Sequence, residues 1–451
     1  MFAVDPATAV PGARVLVTHV VRATDGLTTS VQQFALPMMI FTATGSATWS
    51  GVAFVVEWLP RLCAIPMSGL RVDRHGPRRV LIITNLARCG VTVVALVWLL
   101  ADPGAWAALI GLAIIVGLLA ECSYVASEAA GAEVTDRAAA HRVQSTQAGI
   151  DQTVLVIGPP TAALVLMTTG STGVLLGSAI LGALVPVLAV TLPVAAPVTP
   201  RWNADAVSEP VSVSMRDGVR TGLRVVTRNR LLSCVVIVAA AQNLMLAVLL
   251  AATPAMALGR YGMRESTVGL MWTCGAIGSL AAIVVARRAI GRNGRLWHVG
   301  LVSSLLAGFA TVTAGTASSG PLFFAGVALL VTADGAGAVY LRTARTQVIP
   351  PDVFGVTISV VVLLVLVPYP FAGALVAVVP REHLSSLITV CGLVATAVAA
   401  SAVMRVRREP GRHRRPTRRH RPQDGPLPTL APRATAPVAA LPDPSRSVPH
   451  M

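Results

Sequence analysis

Ionisable side chains inside long apolar runs are the residues of this sequence best placed to do chemistry. Arg22 and Asp25 stand three positions apart, and Glu57 and Arg61 four apart. On helical backbone each couple shares one face. Counted at about 1.5 Å of rise per residue, Asp25 and Glu57 fall near the middle of their runs. Glu121, Asp151 (between Gln147 and Gln152) and Asp334 lie in further apolar runs. A charge in hydrocarbon is costly, so function is the default reading of each. The chemistry on offer is proton binding: a nearby guanidinium favours the carboxylate, and burial without one favours the acid. Asp25, Glu57, Glu121 and Asp151 are therefore candidate proton carriers, with Arg22 and Arg61 as charge partners of the first two. An exchange of partners during a conformational change would couple proton binding to access. Static bridges that hold helices together are the other reading. Thr29 and Gln33 share the face of Asp25, and Asn243 stands in a distant run. These three either line a polar substrate cavity or hydrogen-bond one helix to another.

Other chemistries lack their residues. The eight histidines are scattered, and neither H-E-x-x-H nor G-x-S-x-G occurs. A nucleotide loop of the form G-x-x-x-x-G-K-[ST] is absent, and the chain has no lysine. The six cysteines are isolated within apolar runs and read as small apolar residues. No enzyme, metal site or bound cofactor is expected. The net charge of +16 is spread over links and a tail, which is the pattern of membrane topology and not of nucleic-acid binding.

The elements that must hold these side chains follow from hydropathy. Of 451 residues, 54% are hydrophobic and 12% charged, against about 25% charged in soluble domains. Twelve apolar spans are expected at 14–40, 47–68, 79–101, 105–127, 145–168, 172–195, 231–255, 266–286, 296–315, 320–341, 353–379 and 384–404, each long enough for a bilayer core of about 30 Å. The expected fold is an all-α integral membrane protein with twelve transmembrane helices in two pseudo-symmetric six-helix bundles. Its parts are a cytoplasmic N-terminus (1–13), a first bundle (14–195), a central loop (196–230), a second bundle (231–404) and an Arg- and Pro-rich tail (405–451) expected to be disordered. Within the central loop, Met215 to Val226 alternate apolar and basic residues at roughly helical spacing. An amphipathic surface helix fits, with a disordered basic linker as the alternative. The N-terminus lacks the pattern of a cleavable leader. Arginines gather on alternate links, which puts both termini in the cytoplasm of a plasma-membrane protein. Anionic lipid headgroups are expected at those links and at the tail, and the protein is expected to be a monomer.

One link carries more than charge. Gly69-Leu70-Arg71-Val72-Asp73-Arg74-His75-Gly76-Pro77-Arg78-Arg79 joins the second and third spans. Its Gly-x-x-x-Asp-Arg-x-Gly-x-Arg spacing resembles the helix 2–3 loop signature of major facilitator superfamily transporters. Arg287-Arg288-Ala289-Ile290-Gly291-Arg292 after the eighth span is a degraded copy without the acid. Asp25-Gly26-Leu27-Thr28, Leu59-Pro60-Arg61-Leu62, Asp217-Gly218-Val219-Arg220 and Thr346-Gln347-Val348-Ile349-Pro350 resemble the bacterial branch that includes macrolide-efflux proteins and the enterobactin exporter. The resemblance implies alternating access and proton-coupled export of a small amphipathic compound such as an antibiotic, a siderophore or another natural product. Import or facilitation of a small metabolite is the alternative, and a non-transporting receptor or scaffold a remote one. It also implies a gate built from Gly69, Asp73, Arg74, Gly76, Arg78 and Arg79, in which the Asp73 carboxylate meets the N-terminus of helix 11. Gly158-Pro159 matches part of the helix 5 antiporter motif, but Ala162 and Ala163 replace its usual glycine pair.

Overall fold

Hydrocarbon offers the backbone no partners, so an apolar run must pair its own N–H and C=O groups and become helix. The computed structural model describes residues 11–102, 104–133, 137–192, 215–349 and 354–407. The helices are α1 (Pro11–Thr44), α2 (Ala47–His75), α3 (Pro77–Ala101), α4 (Trp106–Glu133), α5 (Arg137–Ala189), α6 (Met215–Arg228), α7 (Arg230–Thr253), α8 (Glu265–Asn293), α9 (Leu296–Gly315), α10 (Gly320–Val348), α11 (Phe354–Leu366), α12 (Pro368–Val378) and α13 (Leu384–Arg407). The expected residues 1–10, 196–214 and 408–451 lie outside the described residues.

The breaks have local causes. Gly170 takes φ 69° and divides α5 into two antiparallel-capable segments. Pro368 and Pro370 withhold two N–H groups, and the expected eleventh span is interrupted at Val367 into α11 and α12. Pro254 starts a π-helical turn, Pro254–Arg260, that continues α7. With α5 counted as two segments and α11 with α12 as one, the described helices other than α6 make twelve membrane-length segments. Composition alone marks all of these except α1 and α2, whose polar and ionisable residues dilute their hydropathy.

The link between the second and third spans differs from expectation. Residues 69–75 are not a loop but the last two turns of α2, and the chain reverses at Gly76 alone, φ 76°. Pro77 then occupies the first position of α3, where its missing N–H costs nothing. The expected amphipathic segment is helix α6 over Met215–Arg228. It lies against α11 and α7, with Val226 buried among Leu232, Val236, Val360 and Val361.

Helices α1 to α5 form one bundle, in which α1 packs on α5 and α4, and α2 on α4. Helices α7 to α13 form the other. The bundles meet chiefly through α5 with α8 and through α2 with α12. These meetings are close at the arginine-poor end. A Cβ on Gly51 would lie 2.7 Å from the Gly373 carbonyl and 2.6 Å from the Ala377 nitrogen. A Cβ on Gly269 would collide with Ala163, and Phe34 meets Trp272 edge-on at 6.0 Å. Alanines at 162 and 163, small but not glycine, thus suffice for the α5–α8 crossing.

Candidate proton and substrate site

Three buried ion pairs between helices run through the first bundle among the described residues. Arg22 on α1 makes a two-pronged contact to Asp151 on α5, Nε donating to Oδ1 at 2.7 Å and Nη2 to Oδ2 at 2.9 Å. Its Nη1 also donates to the Tyr124 carbonyl and the Ser127 hydroxyl, and its guanidinium lies over the Tyr124 ring. Asp25 is paired instead with Arg88 on α3, at 2.6 Å. Arg88 is 1% exposed. It also donates to Thr29, Gln32 and Asn85, and Asn85 donates on to Ser123 of α4. Arg61 on α2 reaches Glu121 on α4 at 3.5 Å. The expected couples within one helix, Arg22 with Asp25 and Arg61 with Glu57, are thus replaced by pairs that cross between helices. Adjacency on a helix face offers a partner, but a guanidinium buried between helices takes the carboxylate that gives it more hydrogen bonds.

Glu57 is the exception among these acids. It is 2% exposed, and its Oε2 has no hydrogen-bond partner among the described residues. Arg61, one turn further on, lies within electrostatic range of both Glu57 and Glu121. The Arg61 Nε is likewise without a hydrogen bond, and at 3.5 Å its contact with Glu121 is a loose one. Arg61 also stands over the Trp58 ring, 4.7 Å from its centroid, a favourable place for a cation. Trp58 in turn stacks on Tyr369 of α12, ring centroids 3.9 Å apart. The close approach of α2 and α4 has a local cause, since a side chain on Gly117 would collide with the Glu57 carbonyl.

The cavity candidates separate. Thr29 accepts from Arg88 and donates to the Asp25 carbonyl, so it belongs to the ion-pair network. Asn243 donates to the Val365 carbonyl at 2.7 Å, a bond between helices just before the Pro368 break. Gln33 does line a narrow pocket between the bundles, with Phe34, Phe54, Leu250, Thr253 and Trp272. Gly158 marks the crossing of α5 over α1, where a Cβ would collide with Ser30, and Pro159 follows it inside α5. Of the gate residues, Gly69 is helical and only Gly76 turns the chain. Arg74 and Arg79 are exposed and Arg78 half-buried. The side chain of Asp73 and residues 350–353, its expected target, lie outside the described residues. Several residues of the site went unremarked in the sequence, Arg88, Trp58 and Tyr369 among them. Arg88 had a signal, an arginine eleven residues into an apolar helix. Tyr369 had none, because its role depends on Trp58, which is more than 300 positions away.

The comparisons with known proteins agree with this architecture. The model of the family described as Major Facilitator Superfamily matches residues 19–373. Among solved structures, a D-xylose-proton symporter shares 13% identity, covering 86% of this chain and 95% of its own, with a TM-score of 0.66. A nucleoside transporter, NupG, shares 11%, covering 88% and 99%, at 0.65. A bacterial homologue of the human lysosomal transporter Spinster, inward-facing and unoccupied, shares 13%, covering 87% and 97%, at 0.62. No curated protein matches the sequence.

Proposed function

The chain belongs to the major facilitator superfamily, and on that premise we propose that it is a proton-coupled exporter of a small amphipathic compound. It is a multi-pass membrane transporter and not an enzyme. The observation that carries proton coupling is Glu57, a buried carboxyl that shares Arg61 with Glu121, beside Trp58, whose ring stacks on Tyr369 of the other bundle. A carboxyl that gains and loses a guanidinium partner gains and loses its proton in opposite phase. A symporter of protons and D-xylose on the same fold supports the general scheme. Export, and an antibiotic, siderophore or similar natural product as substrate, rest on the resemblance to the macrolide-efflux and enterobactin-exporter branch. The nucleoside and D-xylose transporters of like fold favour a second reading, import or facilitation of a small metabolite. The arginine-rich end faces the cytoplasm of the plasma membrane in this proposal. The bundles described here then meet on the outer side, the arrangement of a transporter closed to the exterior.

The test is accumulation of a panel of antibiotics and dyes in pump-deficient cells, with and without a protonophore. The expected result is reduced accumulation of at least one compound, restored by the protonophore and abolished by Glu57→Gln. Transport that remains protonophore-sensitive in a well-expressed Glu57→Gln protein removes Glu57 from the coupling. Energy-dependent uptake in place of exclusion establishes the second reading.

A further inference from the structure

We propose that Tyr369 and Trp58 are positioning residues that report the arrangement of the two bundles to Arg61, and so decide whether Glu121 or Glu57 holds that cation. The inference rests on the reading of Glu57 as the proton carrier and adds what drives its exchange.

The contact is a single chain of side chains from one bundle into the other. Tyr369 opens the second bundle's contribution. It sits one residue past Pro368, at the joint where α11 gives way to α12. Its ring stacks on Trp58 with an interplanar angle of 27° and lies 6.2 Å from Phe54, both on α2. Trp58 carries Arg61 over its ring, and Arg61 pairs with Glu121 on α4. Further along the same pair of helices, the Gly51 and Gly373 backbones touch, so α12 and α2 are in register only while the bundles are closed at this end.

Among the described residues, Arg61 of its own helix is the charged group within electrostatic range of Glu57. Glu121 of α4 meets Arg61, and Tyr369 of α12 meets Trp58, the residue next to Glu57. Beyond them, Asp334 of α10 lies within electrostatic range of Tyr369. Arg88 of α3, already committed to Asp25 of α1, lies within range of Arg61. Arg61 is therefore the cation on hand for Glu57. With the stack in place, Trp58 holds Arg61 toward Glu121 and Glu57 keeps its proton. When α12 draws away, Trp58 loses its support and Arg61 turns to Glu57, one helical turn back on the same face. The Glu57 O–H bond then breaks and its proton passes through water to the Glu121 carboxylate, which has lost its cation, while the electron pair stays on the Glu57 carboxylate beside Arg61.

The experiment needs no substrate. Purified protein in lipid vesicles is examined by infrared difference spectroscopy at neutral pH for the carbonyl band of a protonated carboxylic acid. The wild-type protein is expected to show a band that Glu57→Gln removes. Tyr369→Leu and Trp58→Leu are expected to lose the same band, while Tyr369→Phe, which keeps the ring, retains it. A band that persists in both leucine variants overturns the relay and leaves the proton-carrier reading standing. Absence of any Glu57 band in the wild-type protein overturns that reading as well. If the leucine variants do not fold, Glu121→Gln tests the exchange from its other end. It frees Arg61 for Glu57 and should abolish the band, and a retained band counts against the switch.

Discussion

Asp25 and Glu57 look alike in the sequence, each an acid near an arginine on one helix, yet they hold different stations. The Asp25 carboxylate meets a buried cation, Arg88, that Thr29, Gln32 and Asn85 also hold in place. It acts as an anchor between α1 and α3. Removing one member of such a buried pair strands the other charge, at a cost of about 3–5 kcal/mol. Arg88→Leu is therefore expected to lower the thermal unfolding temperature of the purified protein sharply, and the double change Arg88→Leu with Asp25→Leu to recover much of the loss. A single variant as stable as the parent would mean that the pair contributes nothing to holding α1 on α3. Glu57, with one oxygen unpartnered, is the acid free to change state. The spacing rules found the face on which each acid lies. They did not find the partner, because once the helices meet Arg88, 63 positions away, takes Asp25, while Arg22 takes Asp151, 129 positions away.

At the scale of elements, α2 is the helix on which most of the site depends. Its glycine at 51 admits α12, Gly117 of α4 admits its Glu57 turn, and Gly76 ends it. A leucine at position 51 cannot fit against Gly373 and Ala377. Gly51→Leu is expected to disfavour the state closed at the arginine-poor end. Spin labels at Thr42 and Ser266, which line a groove at that end from opposite bundles, should report a longer distance in the variant. An unchanged distance would show that the α2–α12 contact does not govern closure. The positions of the helices were legible in the run lengths, and Gly170 and Pro368 explain the breaks that a hydropathy profile smooths over. What was not legible is that the signature at 69–79 is mostly helix. Its charges and Gly69 suggest a loop, but two further turns of α2 satisfy their own backbone, and one glycine suffices for the reversal.

At the scale of the molecule, arginine placement divides the two ends, and a transporter must open them in turn. With the positive-inside assignment, a periplasmic-type reporter enzyme fused at Gly104 should be active and one fused at Gly294 inactive. The reverse pattern would invert the protein in the membrane and place the bundle contact described here on the cytoplasmic side. Helix α6 adds a surface element between the bundles' sequences. It lies on α11 and α7, with Val219 and Leu223 exposed beside Arg220 and Arg224, a face suited to the boundary of headgroups and acyl chains.

The sequence by itself determined that this chain lives in a membrane, that it is built of helices in a number close to twelve, which ends carry the positive charge, and to which family it belongs. Those properties are sums over local stretches, so they survive without knowledge of how the stretches meet. Only the tertiary structure decided that Arg22 answers to Asp151, Asp25 to Arg88 and Arg61 to Glu121, and that Tyr369 touches Trp58. A buried charge takes the partner that packing brings within about 3 Å, and packing joins segments that the chain keeps tens to hundreds of residues apart.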